Sequence, residues 1–335
     1  MDVAVVILNW NGRQMLEKYL PSVLHFTQGP DYFVVVADNG STDGSVRWLH
    51  DNYPQVQIIA FDRNYGFTGG YNRALKQVEA DYYVLLNSDV EVTEGWLDTL
   101  ISFMEDNPDV GVCQPKMLSY SDRDSFEYAG AAGGFIDHFG YPFCRGRILK
   151  NIEKDHGQYD EPEEVFWASG ACMVVRAGLY HHLGGLDESF FAHMEEIDFC
   201  WRAKLMGFHV WAVPAAKVYH LGGGALPNNS PKKLYLNFRN NLLMLRKNLP
   251  SKLRWRFVTI RKIMDWCSAI IYLLTGKFSY FAAVCKAHRD YIKMRKNVEP
   301  SVFTEENNDI GHYEGSILLK YFLSGGKLTF DELRF

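Results

Sequence analysis

Between positions 82 and 89 the sequence reads Tyr82-Tyr83-Val84-Leu85-Leu86-Asn87-Ser88-Asp89, an apolar and aromatic run that ends in three polar side chains. A short run of this kind is typical of a buried strand. Three similar runs lie upstream, at residues 3–8, 33–37 and 56–61, and a stretch with helical apolar spacing adjoins each of them. This alternation predicts βαβ units, and therefore an α/β fold with an open, mostly parallel sheet flanked by helices.

The residues that follow these runs are the first candidates for a binding site, because open parallel sheets bind ligands beyond the carboxyl ends of their strands. Asn9 comes after the first run, Asp38 after the second, Asn64 shortly after the third and 87–89 after the fourth. A dehydrogenase would carry G-x-G-x-x-G after the first strand, and a P-loop NTPase would carry a G-K-[ST] loop. Neither motif is present there, so both classes are disfavoured.

Asn87 and Asp89 place two side-chain oxygens at positions i and i+2 after a strand. Mg²⁺ or Mn²⁺ bound to a diphosphate needs only one or two protein oxygens, so the pair could hold a divalent metal. The alternative is an Asx-type turn that caps the next helix. His220 follows a later predicted strand and could be a further ligand, although a single histidine is more often structural.

A glycine-rich segment, residues 64–72, leads into a predicted helix. Glycines such as Gly69 let the backbone approach a nucleotide, and a helix N-terminus favours phosphate. A tight turn without a ligand explains the segment equally well. At the end of the second strand, Asp38 could accept a hydrogen bond from a base or a ribose hydroxyl.

Residues 195–198 hold three carboxylates at the predicted start of a helix, where the helix dipole favours them. Asp198 can form an ion pair with Arg202 at i+4. Glu195 and Glu196 are adjacent and therefore point in different directions. One of them, beside an apolar pocket wall, could have a raised pKa suited to a general base.

The C-terminal third differs from the rest of the chain in charge. Residues 231–300 contain 16 Lys and Arg against 3 Asp and Glu, although the whole chain has a net charge of −5. The apolar stretch at 266–274 is too short to span a bilayer. We expect an amphipathic, basic and aromatic helix lying on an anionic membrane surface. Packing against the acidic body and nucleic-acid binding are the alternatives.

Composition limits the remaining possibilities. The chain of 335 residues is 47% hydrophobic, which predicts a globular protein of one or two domains. Its six cysteines include no C-x-x-C pair, and the first residues lack the features of a signal peptide. These observations favour a cytoplasmic protein, attached peripherally to the inner face of the membrane.

Taken together, the motifs resemble those of the family 2 glycosyltransferases with the GT-A fold, especially a bacterial rhamnosyltransferase-like subgroup. The resemblance covers about residues 1–245. It rests on the following elements: Asp38, Asn64-x-Gly66-Phe67-x-x-Gly70-x-Asn72, Leu86-Asn87-Ser88-Asp89-Val90, Gly184-Gly185-Leu186-Asp187-Glu188-x-Phe190-Phe191, Glu195-Glu196-x-Asp198-x-Cys200-x-Arg202 and His220.

The resemblance implies a role for each matching residue. The D-x-D-type element falls on Asn87 and Asp89, which with His220 would form a divalent-metal site for Mn²⁺ or Mg²⁺. The second acid of the paired motif, Glu196, would be the catalytic base, with Glu195 as the alternative. The residues expected to bind the donor nucleotide are Asn9, Asp38, Asn64, Gly69, Asn72, Ser88 and Arg239. The weaker acceptor candidates are Trp167, Ser169 and Gly170.

The implied domains are a catalytic domain at 1–245, with a nucleotide-sugar half at 1–113 and an acceptor half at 114–245, and a membrane-associating helical tail at 246–335. The implied activity is inverting transfer of a sugar, with rhamnose as a candidate, from a nucleotide diphosphate sugar to a hydroxyl of a lipid-linked, cell-surface glycan. A nucleotidyltransferase on a related fold and an inactive glycan-binding relative are the alternatives. Nucleic acid is not an expected partner.

Overall fold

A computed structural model describes residues 1–222, 230–301 and 311–333. The strands are β1 (Val3–Asn9), β2 (Tyr32–Asp38), β3 (Gln57–Ala60), β4 (Tyr82–Asn87), β5 (Val90–Val92), β6 (Val110–Ser119), β7 (Gly134–Ile136), β8 (Pro142–Cys144), β9 (Arg147–Ile148), β10 (Asn151–Ile152), β11 (Glu163–Glu164), β12 (Cys172–Arg176) and β13 (His209–His220). The helices are α1 (Arg13–Phe26), α2 (Ser45–Asn52), α3 (Gly66–Leu75), α4 (Trp96–Asp106), α5 (Ala177–His182), α6 (Glu195–Leu205), α7 (Pro231–Asn248), α8 (Ser251–Leu274), α9 (Phe278–Met294) and α10 (Ile317–Leu323).

The central sheet has the strand order β11-β13-β6-β12-β4-β1-β2-β3, and β5 pairs with β13. The strands β3, β2, β1 and β4 are parallel, whereas β12 runs antiparallel between β4 and β6. In this register Asn9 lies opposite Asp38, and Leu8 lies opposite Asn87. The ends of β1, β2 and β4 are therefore level, which brings the polar residues after them to one edge of the sheet.

Helices cover both faces of the sheet, as the sequence predicts. Along β1, Ala4 and Val6 pack into one core with α3, α5, α6 and α7, while Val3, Val5 and Ile7 pack into the other core with α1, α2 and α4. This alternation follows from the two-residue period of a strand. The predicted fold class, an open and mostly parallel sheet flanked by helices, is confirmed.

The predicted acceptor half contains a second, antiparallel sheet with the order β10-β9-β8-β7. The main sheet continues across the predicted boundary between the two halves of the catalytic domain, because β6 spans Val110–Ser119. Likewise α7 continues past residue 245 to Asn248. The central sheet and α7 therefore join the segments that the sequence divides.

The tail is helical, and one of its faces is buried. Arg261 on α8 contacts Asp265 at 2.8 Å and the Asn241 side chain of α7 at 2.6 Å, and Asp265 contacts His288 of α9 at 3.2 Å. Residues 311–333 return to the smaller sheet, where the Ile317 amide donates to Asp137 at 3.0 Å. This inner face of the tail packs against the body, as one of the alternatives from the sequence proposes.

The outer face of α8 is apolar and exposed. Its exposed apolar side chains include Trp255, Ile263, Trp266, Ile270 and Leu274. They recur at helical spacing opposite the buried Phe257, Arg261 and Asp265. Among the residues that the structure describes, no helix combines the length and apolar character needed to cross a membrane.

Candidate active site

The ends of β1 and β2 are joined by Asn9 and Asp38. The side-chain amide of Asn9 donates to Asp38 Oδ2 at 2.8 Å, and the backbone amide of Ser41 donates to Asp38 Oδ1 at 2.8 Å. Both side chains are buried. Within the described chain, Asn9 Oδ1 is buried without a hydrogen-bond partner. It is therefore a hydrogen-bond acceptor at the strand ends that a ligand could use. These two donor-site candidates are therefore together.

The glycine-rich segment forms a turn at the start of α3. Asn64 Oδ1 accepts from the Gly66 amide at 2.7 Å and from the Asn39 side chain at 3.2 Å, so Asn64 stabilises the turn. Gly66 has φ +77°, a left-handed conformation that glycine adopts without strain. Gly69 is buried in the first turn of α3. The segment is thus an ordered turn at a helix N-terminus, beside the end of β1.

Contacts inside the protein engage the side chains of two predicted donor-site residues, Asn72 and Arg239, whose donor binding stays a prediction. Asn72 Nδ2 donates to Leu186 O at 2.7 Å, while its Oδ1 accepts from the Tyr180 hydroxyl at 2.7 Å. Arg239 Nη2 donates to Phe190 O at 2.8 Å, and Arg239 Nε donates to the Asn240 side chain at 2.8 Å. Asn72 and Arg239 therefore hold loops in place.

The predicted metal ligands lie around the end of β4. Asn87 and Ser88 are half-buried, and Asp89 is buried. His220, at the end of β13, places Nε2 3.1 Å from Asp89 Oδ1. The pairing of β13 with β5 causes this proximity, since His220 lies opposite Val90 in that ladder. Two of the three predicted ligands are therefore in contact.

The residues present fit a divalent cation with few protein ligands. Two ligands of one octahedral ion at about 2.1 Å stand roughly 3 Å apart, which matches the separation of Asp89 Oδ1 and His220 Nε2. Over residues 1–222, 230–301 and 311–333, no group of three or more His, Cys, Asp or Glu side chains could hold a metal ion. Phosphate and water oxygens would thus complete the shell.

Glu127 is a third member of this cluster that the sequence analysis missed. Its Oε1 lies 3.3 Å from His220 Nδ1, on the side of the ring away from Asp89, and its Oε2 accepts from the Ala129 amide. Burial alone would lower the pKa of His220, but the Glu127 and Asp89 carboxylates raise it to about 10. Glu127 and His220 are 93 positions apart, so no local spacing could reveal the contact.

Glu195 and Glu196 begin α6, and each has one buried carboxylate oxygen without a hydrogen-bond partner in the described part of the chain. Burial raises the pKa of Glu195 well above its usual value, and the Glu196 carboxylate raises it further. Burial also raises the pKa of Glu196, but the Lys233 ammonium acts in the opposite direction. The pKa is therefore raised for both carboxyls, and more strongly for Glu195 than for Glu196.

The loop before these glutamates has an unusual backbone. Phe191, His193 and Met194 have φ of +66°, +70° and +72°, a conformation that costs energy in residues with a Cβ. Asn240 holds the loop, because its Nδ2 lies 2.7–3.0 Å from three carbonyl oxygens, those of Phe190, Ala192 and His193. Such strain persists only where surrounding contacts determine the conformation, and it is common at active sites.

Two of the predicted acceptor residues are buried in the core. Trp167 is buried, with its ring against Gly134 and its indole N–H donating to Phe135 O at 3.0 Å. Ser169 is buried as well, and its hydroxyl donates to Ala129 O at 2.6 Å. Both side chains thus have partners within the core, and their assignment to the acceptor site stays a prediction.

Gly170, the third acceptor candidate, connects the two parts of the site. A Cβ on Gly170 would lie 3.6 Å from the Glu196 Cβ, so the backbone here passes directly beside the candidate base. The next carbonyl, that of Ala171, accepts from the Asn87 amide at 2.9 Å. Residues 170 and 171 thus place Glu196 close to the end of β4, where Asn87 and Asp89 lie.

Asp198 and Arg202 form the predicted ion pair, with 2.9 Å between Oδ2 and Nε. Lys247 also contacts Asp198 Oδ2 at 3.0 Å, and the Asn248 side chain donates to Oδ1 at 2.7 Å. Arg202 in turn donates to the carbonyl oxygens of Leu183 and Gly185. The third acid of the cluster thus anchors α6 against α7 and has a structural role.

Comparison with known proteins agrees with this arrangement. Residues 4–184 match Glycosyl transferase family 2. The chain is 28% identical over 234 residues to N-acetylglucosaminyl-diphospho-decaprenol L-rhamnosyltransferase of Mycobacterium tuberculosis, which covers 64% of this chain and 75% of that protein. It is 23% identical to dTDP-rhamnosyl transferase RfbF of Shigella flexneri, over 74% of this chain and 81% of the relative.

A solved structure shows a similar fold. The crystal structure of GalNAc-T7 with UDP, GalNAc and Mn²⁺ superposes with a TM-score of 0.60 at 15% identity, over 91% of this chain and 56% of that chain. The sheet order, the cluster at the end of β4 and the match over more than half of the sequence lead to one conclusion. The chain is a glycosyltransferase and belongs to glycosyl transferase family 2.

Proposed function

We propose that this glycosyltransferase transfers a sugar, with rhamnose as the first candidate, from a nucleoside diphosphate sugar to a hydroxyl of a lipid-linked glycan, with inversion at the anomeric carbon. The observation that carries the proposal is the connection through residues 170–171 between Glu196 and the Asn87–Asp89 segment. This connection supports Glu196 as a base that lies beside the Asn87–Asp89 segment, whose side chains suit a metal-bound diphosphate. The rhamnosyltransferase relatives support the choice of sugar and of a lipid-linked acceptor.

Glu196 is the proposed base. It takes the proton from the acceptor hydroxyl while that oxygen attacks the anomeric carbon from the face opposite the leaving diphosphate. Burial raises the pKa of both glutamates, but the Lys233 ammonium lowers that of Glu196, whereas the Glu196 carboxylate raises that of Glu195 further. This difference favours Glu196 over Glu195 as the proton acceptor, although the two residues are adjacent.

Asp89 and His220, with Asn87 nearby, are the residues that would hold a divalent cation. When bound, Mn²⁺ or Mg²⁺ supplies positive charge that stabilises the departing diphosphate. At the other strand ends, Asp38 and Asn9 would bind the base or ribose of the donor. Ser88 lies beside the turn that follows Asn9, because a Cβ on Gly12 would be 3.5 Å from Ser88 Oγ, and it would contact the donor there.

The experiment combines binding and turnover in the full chain. dTDP-rhamnose, UDP-sugars and GDP-sugars are each added with Mn²⁺ or with a chelator, and the melting temperature is measured, since a ligand of the folded state raises it. The stabilising donor is then supplied with a short-chain N-acetylglucosaminyl-diphospho-prenol, and NMR gives the anomeric configuration of the product. Absence of stabilisation by every donor, together with absence of transfer, would overturn the proposal and favour a glycan-binding protein.

The tail is proposed to attach the enzyme peripherally to the inner face of the membrane. Two features of α8 support this: the exposed apolar face that contains Trp255 and Ile270, and the basic side chains of Lys252 and Arg256 at its exposed N-terminal turns. An interfacial helix has this combination of an apolar face and adjoining positive charges. A membrane-bound enzyme would meet a lipid-linked acceptor where that acceptor resides.

A further inference from the structure

Two exposed aromatic rings flank the candidate active site. Tyr128, 41% exposed, directly follows Glu127, whose carboxylate contacts His220. Phe191, 38% exposed, lies in the strained loop that leads to Glu195 and Glu196. Burying either ring would be favourable, since apolar area in contact with water costs free energy. Both rings therefore offer apolar surface at the edge of the site that a bound ligand would cover.

The first turn of α7 places an ammonium group over each of the two rings. The Lys232 ammonium lies 5.7 Å from the centre of the Phe191 ring, and the ammonium of the next residue, Lys233, lies 5.9 Å from the centre of the Tyr128 ring. Consecutive residues at the start of one helix thus reach the two rings. We name these four residues, Tyr128, Phe191, Lys232 and Lys233, the aromatic rim.

The aromatic rim adjoins the candidate base. Burial lowers the pKa of Lys233, and the carboxylates of Glu127 and Glu196 oppose that effect. The Lys233 side chain thus lies within electrostatic reach of both the base and the residue behind His220. The Arg147 guanidinium adds a third positive charge 4.5 Å from the centre of the Tyr128 ring, and it donates to Tyr128 O at 2.7 Å.

We propose that the aromatic rim is the acceptor subsite and that it binds a sugar carried on a phosphate or diphosphate. The inference rests on the proposed function and deepens it by naming the residues that select the acceptor class. It also replaces Trp167 and Ser169, whose side chains are buried in the core. The predicted acceptor residue Gly170 remains beside Glu196, between the base and the end of β4.

The chemistry of the rim matches such an acceptor in two ways. An aromatic face packs against the C–H face of a pyranose and leaves the ring hydroxyls free, so one of them can reach Glu196. A phosphate on the anomeric carbon of the same sugar would then meet the ammonium groups of Lys232 and Lys233. It would also meet the N-terminal end of α7, where the helix dipole favours an anion. A glycan without a phosphate would use only the rings.

The lysines could instead bind the diphosphate of the donor, and the test separates these two sources of phosphate. Three probes are titrated into the full chain by calorimetry: a water-soluble N-acetylglucosaminyl-diphospho-prenol, octyl N-acetylglucosaminide, and dTDP with Mn²⁺. The first probe has sugar and phosphate, the second has the sugar alone, and the third represents the donor. Because binding is measured without turnover, a failure here is distinct from a failure of the proposed transfer.

The lysine variants are Lys232→Gln and Lys233→Gln, and the ring variants are Tyr128→Leu and Phe191→Leu. A lost charge-assisted hydrogen bond corresponds to about tenfold or more in affinity. We therefore expect the lysine variants to bind the diphospho probe more weakly by that factor and to bind the octyl glycoside with unchanged affinity. The ring variants should weaken both sugar probes. Tyr128→Phe keeps the ring and should restore binding.

Lys286→Gln is the matched control, because Lys286 is an exposed lysine that lies 4.7 Å from the Tyr235 ring, on α9. It should bind all three probes like the wild type. Equal loss of both sugar probes in the lysine variants would overturn the phosphate assignment. If the lysine variants bound dTDP more weakly but bound both sugar probes with unchanged affinity, the acceptor assignment would be overturned and the lysines would belong to the donor site. Unchanged binding of every probe in all four variants would overturn the subsite itself.

Discussion

The side-chain nitrogen of Asn240 lies 2.7 Å from the carbonyl oxygen of His193, two residues before Glu195. A single amide on α7 thereby holds the left-handed backbone that starts α6. The same loop reaches the donor side of the sheet, because the Phe67 amide donates to Phe191 O at 2.8 Å. The position of the candidate base therefore depends on Asn240 together with Arg239, which holds the carbonyl of Phe190 in the same loop.

Replacing Asn240 with alanine should lower both stability and turnover. The change removes the donor to the carbonyls of Ala192 and His193 and one of the donors to Phe190 O, which keeps its bond from Arg239, and each lost hydrogen bond is worth about 1 kcal/mol. We expect a loss of about 2–3 kcal/mol in the free energy of unfolding, together with a lower kcat and a nearly unchanged donor KM. Denaturant titration and steady-state kinetics measure these quantities. Asn52→Ala, which removes an exposed asparagine on α2, is the control and should change neither.

Glu196→Gln should remove the base and keep the donor site. A positioned base contributes about 10²–10⁴-fold in rate, so kcat should fall by that factor while donor binding persists. Glu195→Gln should retain most activity, because the strongly raised pKa of Glu195 favours its protonated carboxyl, which glutamine resembles in shape. If Glu195→Gln were the inactive variant and Glu196→Gln the active one, the two roles would have to be exchanged.

The pH profile of kcat/KM should show an acid limb above the usual carboxyl range, since burial raises the pKa of Glu196. The sign follows from the role of the base: activity requires the ionised form, which is lost as pH falls through the raised pKa. Lys233→Gln removes a charge that lowers this pKa, so the limb should move to higher pH. A limb that stays in place would show that Lys233 does not act on Glu196.

Glu127→Ala should weaken metal binding, because it removes the carboxylate that faces His220 Nδ1 at 3.3 Å. Carboxylates that orient a histidine ligand typically contribute about 10–100-fold in metal affinity. Mn²⁺ binding in the presence of dTDP, followed by electron paramagnetic resonance, measures the change directly. Glu164→Ala is the control, since Glu164 contacts His209 at 3.1 Å at the far edge of the sheet. Equal Mn²⁺ affinity in both variants would contradict the role of Glu127.

Replacing Trp255, Ile263 and Ile270 together with serine should release the protein from vesicles that contain anionic lipid. These side chains are exposed, so the fold should remain stable while the apolar area available to the bilayer falls. Flotation of the full chain with such vesicles measures attachment, and added salt should weaken it. Ile292→Ser, on the exposed side of α9, serves as the control for loss of an apolar side chain. Attachment that persists in the triple variant would exclude the outer face of α8 as the anchor.

The sequence predicts the sheet because strand formation and strand polarity leave local signals. The apolar runs appear as β1, β2, β3 and β4, and the residues after them meet at one edge, as an open parallel sheet requires. Family resemblance points to the same fold, and the match over residues 4–184 confirms the family. Local sequence patterns therefore predict most of the architecture.

The site was harder to predict because a polar side chain can form hydrogen bonds with the protein backbone as well as with a ligand, and the sequence does not distinguish the two. Asn72 and Arg239 have the donors that a diphosphate would need, but the loops around Leu186 and Phe190 use them. Trp167 is an aromatic residue in a glycine-rich region, and only the packing against Gly134 shows that its ring is buried. Glu127 contributes through a contact with a residue far away in sequence, and no pattern around it indicates that contact.

The return of residues 311–333 to the smaller sheet has a consequence for biosynthesis. Asp137 and Ile317 are 180 positions apart, and the ring of Phe330 packs on Phe135 with 5.0 Å between centres. At about 5–20 residues per second, a ribosome needs roughly 10–40 s to make the intervening chain. During that interval the apolar side chains of β7 and β8 lack the cover that residues 311–333 provide in the folded chain.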